Sequence, residues 1–157
     1  MLLSELLGRS GRKGEAEELA DRALALRPES PAAHHRKAWL LREAGRKAEA
    51  LPHFEAAARG QPGNAIVQYE LGSLYGELGR NEEARFCYEK AVRSEAAPSG
   101  AYANLAVLAA QAGRYPEAIR LWNQALERKP TPREAGIIRA NIRKAEELMS
   151  GPGAKTR

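Results

Sequence analysis

One cysteine, three histidines and few aromatic rings limit the chemistry open to this chain. Cys87 stands alone, so no intramolecular disulfide can form and no cysteine cluster can hold a metal. Aromatic residues make up only 6%, which favours helices packed through small contacts over a ring-filled core. No apolar run approaches the ~18 residues of a membrane span, so no membrane insertion is expected. The opening MLLSELLGRS has no basic start, long apolar centre or small-residue cleavage site, so it does not match a secretory signal. With a single cysteine, these features make the cytoplasm the expected compartment.

Charge of one sign is also missing as a block. The chain carries +5 overall, yet residues 1–30, 31–64, 65–98, 99–132 and 133–157 carry −1, +3, −2, +2 and +3. Nucleic acid needs a continuous basic footprint, so no nucleic-acid partner is expected. A 43% hydrophobic and 29% charged composition is that of a folded chain.

What the sequence does contain is a repeat. Gly11-Arg12-Lys13-Gly14-Glu15-Ala16 recurs as Gly45-Arg46-Lys47-Ala48-Glu49-Ala50, as Gly79-Arg80-Asn81-Glu82-Glu83-Ala84 and as Gly113-Arg114-Tyr115-Pro116-Glu117-Ala118, each copy 34 residues after the last. Other columns keep that step: Leu3, Lys37, Leu71 and Leu105; Ser4, Ala38, Gly72 and Ala106; Leu7, Leu41, Tyr75 and Ala109. Further along come Ala20, Phe54, Tyr88 and Trp122; Ala23, Ala57, Ala91 and Ala125; and Pro28, Pro62, Ala96 and Pro130.

One unit explains itself physically. The first three columns lie three or four residues apart, on one face of a first helix. Gly permits a tight turn through positive φ. Arg-x-x-Glu-Ala opens a second helix, with Glu in the first turn where negative charge is favourable. The Ala and aromatic columns line the second helix, and Pro closes the unit. Pro52 falls early in the second helix of unit two, where a local kink is expected. Pro98 sits two residues late, which lengthens the turn before unit four.

These columns resemble the tetratricopeptide repeat family, whose 34-residue pattern runs W-x2-L-G-x2-Y, A-x3-F, P. Leu71-Gly72-x2-Tyr75 with Ala84-x3-Tyr88 carries it best, supported by Ala50-x3-Phe54, Ala118-x3-Trp122, Pro62 and Pro130. The resemblance implies an all-α fold: a right-handed superhelical α-solenoid of antiparallel helix pairs with a C-terminal capping helix. The expected organisation is a single array over 1–150, with repeats at about 1–30, 31–64, 65–98 and 99–132, a cap at about 133–149 and a flexible tail at 151–157. Unit one is expected as two helices, about 1–10 and 14–27. It begins in mid-repeat and lacks an aromatic at Ala20, so an incomplete chain is expected, and self-association through exposed Leu2, Leu3, Leu6 and Leu7 is open.

Catalytic groups are few, and no enzyme activity, cofactor or metal is expected. His34 and His35 point about 100° apart on a helix, so they do not converge on one ion. His34 stands in a packing column with Gln68 and Tyr102. Cys87 has no histidine beside it in sequence and precedes a core tyrosine. The glutamate pairs are solvated faces.

The family implies a different kind of site: a groove walled by the first helices, which holds a peptide or protein partner. Here that wall is expected to present His35, Arg36, Trp39 and Arg42, then Ile66, Tyr69, Glu70 and Ser73, then Ala103, Asn104 and Val107. Trp39 and Tyr69 belong to no packing column, so each is either a binding anchor or a packing residue against the neighbouring helix. One family mode clamps a C-terminal carboxylate with Lys, Asn and Arg. The corresponding places hold His35, Trp39, Glu70, Gly100 and Asn104, and only Asn104 fits, while Glu70 repels a carboxylate. The function expected is therefore a protein–protein interaction scaffold, or alternatively the substrate-recruiting arm of a larger enzyme such as a glycosyl- or sulfo-transferase.

Overall fold

A computed structural model describes residues 2–150, with side chains from residue 14 onward. It contains eight helices among the described residues: α1 Leu2–Leu26, α2 Pro31–Glu43, α3 Lys47–Gly60, α4 Ala65–Glu77, α5 Asn81–Ala91, α6 Ser99–Gln111, α7 Tyr115–Glu127 and α8 Pro132–Ser150. The hairpins α2/α3, α4/α5 and α6/α7 stack in sequence order as a right-handed superhelical α-solenoid.

The recurring phrase owes its form to one local device used three times. Gly45, Gly79 and Gly113 all take positive φ, from 74 to 78°, a region that costs glycine little. The next residue then reaches back: Arg46 donates its N–H to Leu41 O, Arg80 to Tyr75 O and Arg114 to Ala109 O, each at 2.9 Å. These bonds close the first helix by satisfying its last carbonyls. The same arginines pair with a glutamate three residues on, at 2.6–2.8 Å (Arg46–Glu49, Arg80–Glu83 and Arg114–Glu117). The alanine that ends the phrase is fully buried as Ala50, Ala84 and Ala118.

Burial follows the columns. Phe54, Tyr88 and Trp122 fill the space between paired helices, beside the buried Ala57, Ala91 and Ala125. Gly72 is small for a reason: a Cβ there would lie 2.8–2.9 Å from the Tyr88 ring. The first-helix column of His34, Gln68 and Tyr102 ties each unit to the turn before it. His34 Nε2 donates to Pro28 O at 2.8 Å, Gln68 Nε2 to Pro62 O at 3.3 Å and Tyr102 Oη to Val92 O at 3.1 Å. Pro52 lies within α3, which runs on past it without a break. The turn carrying Pro98 spans 92–98, against 27–30, 61–64 and 128–131 elsewhere; it is the long one, as the late proline requires.

Unit one departs from expectation. Residues 2–26 form a single helix, not two helices divided at Gly11. A turn there would return a helix onto Ala20, where the other units offer an aromatic ring. Little apolar surface is gained by folding back, and a continuous helix keeps its backbone hydrogen bonds internal. The expected tail at 151–157 lies outside the described residues, and the side chains of Leu2, Leu3, Leu6 and Leu7 lie outside the described side chains.

Helix α1 is held to α2 partly by charge. Lys37 occupies a leucine column, is only 9% exposed, and donates to Glu17 and Asp21 of α1, both at 2.8 Å. Burial alone would pull the Lys37 pKa down, but the bonds to Asp21 and Glu17 outweigh it and hold the pKa above the usual lysine value. Arg46 also pairs with Glu17 at 2.8 Å. A buried ion pair is often replaceable by an apolar side chain at no net loss, whereas truncating one member is costly. Both Lys37→Leu and Lys37→Ala strip Glu17 and Asp21 of their cation, but leucine refills the column and the two carboxylates are partly exposed, so Lys37→Leu is expected to lower the melting temperature less than Lys37→Ala. Thermal unfolding followed by circular dichroism compares the two; a Leu variant as unstable as the Ala variant would contradict this view of the α1–α2 contact.

Helix α8 starts with a reciprocal cap. Thr131 N–H donates to Glu134 Oε2 at 2.8 Å, and Glu134 N–H donates to Thr131 Oγ1 at 3.4 Å. Ile138 and Ala145 are buried in the core cluster that contains Trp122. One step of 34 after Leu105, Ala106 and Ala109 come Arg139, Ala140 and Arg143, all exposed. The face that would receive another second helix is thus largely polar, which suits the end of an array.

Candidate partner-binding wall

The first helices of successive units lie side by side, and the expected wall residues fall into three groups. The first is self-paired. His35 Nε2 meets Glu70 Oε2, and the His35 ring stands edge-on to Phe54 at 5.9 Å. Arg42 meets Glu77, with its Nε at 3.1 Å, and Lys47 joins the same carboxylate at 3.0 Å. The His35–Glu70 and Arg42–Glu77 contacts bridge α2 and α4, and Lys47 reaches Glu77 from α3.

The second group is aromatic and amide. Tyr69 is half-buried and contacts both core clusters. Its hydroxyl lies so close to Gly100 that a Cβ there would approach it to 2.5 Å. Tyr69, Ala103 and Asn104 line a cavity of about 180 Å³ completed by Ile137 and Ile138 of α8. Below it the Tyr88 hydroxyl donates weakly to Ser73 Oγ at 3.5 Å and accepts from Asn104 Nδ2 at 3.1 Å. Ser73 and Asn104 are therefore largely used in joining α4, α5 and α6.

The third group is exposed. Trp39 is 38% accessible, with the Arg36 guanidinium 5.5 Å from its ring centre. Ile66 is more exposed still. Val107 lies apart from Trp39, against α8. The structure thus brings His35 to Glu70 and Tyr69 to Ala103 and Asn104, and leaves Trp39, Arg36 and Ile66 to solvent.

Two arrangements went unforeseen. Ile137 stands 34 residues after Ala103, itself 34 after Tyr69, and Asn141 follows Val107 by the same step. Extending the register into α8 would have found them. The second is His34, which pairs with His53 across the hairpin, Nδ1 to Nδ1 at 2.9 Å, and not with its neighbour His35. No sequence pattern links positions 19 apart on two antiparallel helices. The cavity of about 540 Å³ between α3 and α5 lies on the second helices and includes Cys87 in its lining. Burial pushes the Cys87 thiol up to about 11, away from thiolate chemistry. Among the described residues no group of three or more His, Cys, Asp or Glu could hold a metal ion, and no helix is long and apolar enough to cross a membrane.

The His34–His53 contact has a thermodynamic consequence. Burial first, and then the charge of His34, lower the His53 pKa; Lys37 acts the same way and Asp21 opposes it. A histidine whose folded pKa lies below its unfolded value contributes fully above the ordinary value of about 6.5, and loses that contribution as pH falls through the folded value. The melting temperature is expected to hold steady above neutral pH and fall between about pH 6.5 and 5, before carboxylates begin to titrate. His53→Gln is expected to flatten that fall. An unchanged parent melting temperature across the window would contradict the assignment.

The Tetratricopeptide repeat family model matches residues 1–65 and 69–133. The chain belongs to this family. Tetratricopeptide repeat proteins are protein-interaction scaffolds, and protein partners are what membership implies. Among the solved structures that carry a similar array are these three. One is a MamA protein, at 16% identity and TM-score 0.74 over 92% of this chain and 79% of that one. PilF of Pseudomonas aeruginosa has 21% identity and TM-score 0.77 over 94% and 67%. MamA 41-end from Desulfovibrio magneticus RS-1 has 24% identity and TM-score 0.65 over 78% and 70%. Identities this low carry the fold alone. Comparison with curated protein sequences gave no match.

Proposed function

We propose that this tetratricopeptide array holds a peptide or protein segment along the wall formed by α2, α4 and α6, with Trp39 and Tyr69 as its centre. The observation that carries the reading is Trp39: a large indole left 38% exposed on a first helix, flanked by the cation of Arg36. Partly exposed aromatics and arginines are enriched among the residues that dominate binding energy. With His35 against Glu70 and Arg42 against Glu77, Arg36 beside Trp39 is the cation left without a carboxylate partner on this stretch among the described residues. Recognition there rests on aromatic, apolar and amide contacts: Trp39 and Ile66 at one end, Tyr69, Ala103 and Asn104 at the other. A protein segment offers such groups along its length, whereas a nucleic acid would need free cations.

The test is capture from a lysate of the source cells on the immobilised chain, with the Trp39→Ala/Tyr69→Ala double variant alongside. Species retained by the parent and lost by the folded variant support the reading. The same species on both columns remove it.

A further inference from the structure

The end of the wall formed by α6 and α8 holds a cavity with a different character from the Trp39 region. Its volume is about 250 Å³, below the ~300–1,000 Å³ usual for small-molecule sites and suited to one large side chain. Val107 of α6, Trp122 of α7 and Ala145 and Leu148 of α8 give it an apolar surface, and it opens to solvent. Leu148 is 52% exposed, so an apolar rim faces water.

Two further observations say what this cavity takes. Trp122 is 3% exposed, and its Nε1 is the buried side-chain polar atom without a hydrogen-bond partner among the described residues. A buried donor left unpaired costs stability, and an acceptor brought by a ligand restores it. Lys144 is the only charged residue in the lining and takes part in no ion pair among the described residues. Gln111 and Asn141 supply amides beside it. The site is therefore apolar, short of one acceptor and positive at its rim.

We infer that this cavity is an anchor pocket for the partner segment: it seats one aromatic or branched aliphatic side chain whose neighbouring residues are acidic. The inference rests on the wall reading above and places a second anchor at the far end from Trp39. The apolar side chain displaces water from Val107, Ala145 and Leu148. A carboxylate beside it meets the Lys144 ammonium, and a carbonyl or carboxylate oxygen of the segment accepts from Trp122.

The chain contains two tryptophans, so a nitrogen–proton correlation spectrum shows two indole signals, and Trp39→Phe assigns them. The full chain is titrated with acetyl-Glu-Glu-Phe-Glu-amide, with acetyl-Lys-Lys-Phe-Lys-amide and with octanoate, each to about 10 mM, where even weak binding of millimolar Kd registers. The acidic peptide is expected to move the Trp122 indole signal saturably and leave that of Trp39 in place. Leu148→Asp, on an exposed side chain that the fold tolerates, abolishes the movement, and Lys144→Glu weakens it by about tenfold. A Trp122 signal that stays still overturns the inference, as does an equal response to the lysine peptide. A response to octanoate without one to the acidic peptide also overturns it, in favour of a small amphiphile. The two readings separate cleanly. Trp39→Ala/Tyr69→Ala keeps the Trp122 response if the pocket stands alone. A cellular partner lost by that variant but kept by Leu148→Asp removes the anchor pocket and leaves the wall.

Discussion

Phe54→Ala is expected to destabilise the array by about 3–5 kcal/mol, the usual range for emptying a fully buried phenylalanine site. Phe54 has no exposed surface and belongs to the cluster that joins Ala38 and Leu41 of α2 to Ala50 and Ala57 of α3. Ala38, Ala50 and Ala57 of that cluster are anchored by backbone and have no side-chain reach with which to fill the vacancy. For a chain of this size the melting temperature should fall by about 6–20 °C. Phe54→Leu conserves most of the volume and should cost far less. Repeat arrays gain stability from each unit and from its interfaces. Loss of Phe54 is therefore expected to loosen α2 and α3 first, with α6–α8 holding on longer. Denaturant melts with probes at both ends check the order. A shift below about 1 kcal/mol would contradict the packing described for unit two.

The second large effect is on binding. The Trp39→Ala/Tyr69→Ala variant should bind its captured partner more than about tenfold more weakly, since removing a hot spot costs about 2 kcal/mol or more. The two halves differ in kind. Trp39 is exposed, so Trp39→Ala should weaken binding with little change in stability. Tyr69 also packs against Gly100 and both core clusters, so its truncation should weaken binding and the α4–α6 contact together. Tyr69→Phe keeps the ring and isolates the hydroxyl. Titration calorimetry and thermal melts on the same samples separate the effects. A double variant with unchanged affinity and an intact fold would remove both residues from the site.

Most of the fold is legible in the sequence because a 34-residue step repeats every constraint three times. Gly45, Gly79 and Gly113 fix the turns, Ala50, Ala84 and Ala118 mark helix contact, and Pro98 reports the longer turn. Unit one escapes because the phrase is only a permissive signal. Gly11 permits a turn, but without a ring at position 20 nothing rewards it, and α1 runs straight through. The site is less legible, since it depends on contacts between units. Tyr69 meets Gly100 and His35 meets Glu70 at separations that no single-helix pattern contains. Ile137, Asn141 and Lys144 were readable only by carrying the register past the last turn into α8. Trp39, which the sequence left open as anchor or packing residue, is partly exposed because a large ring outside every packing column has few places to go.

The central claim is that partners bind the first-helix wall, and amide hydrogen exchange with and without a captured partner tests it most directly. Binding there predicts slowed exchange along α2, α4 and α6, with α3, α5 and α7 unchanged. Slowing confined to α3 and α5, around the cavity that Cys87 lines, would contradict it.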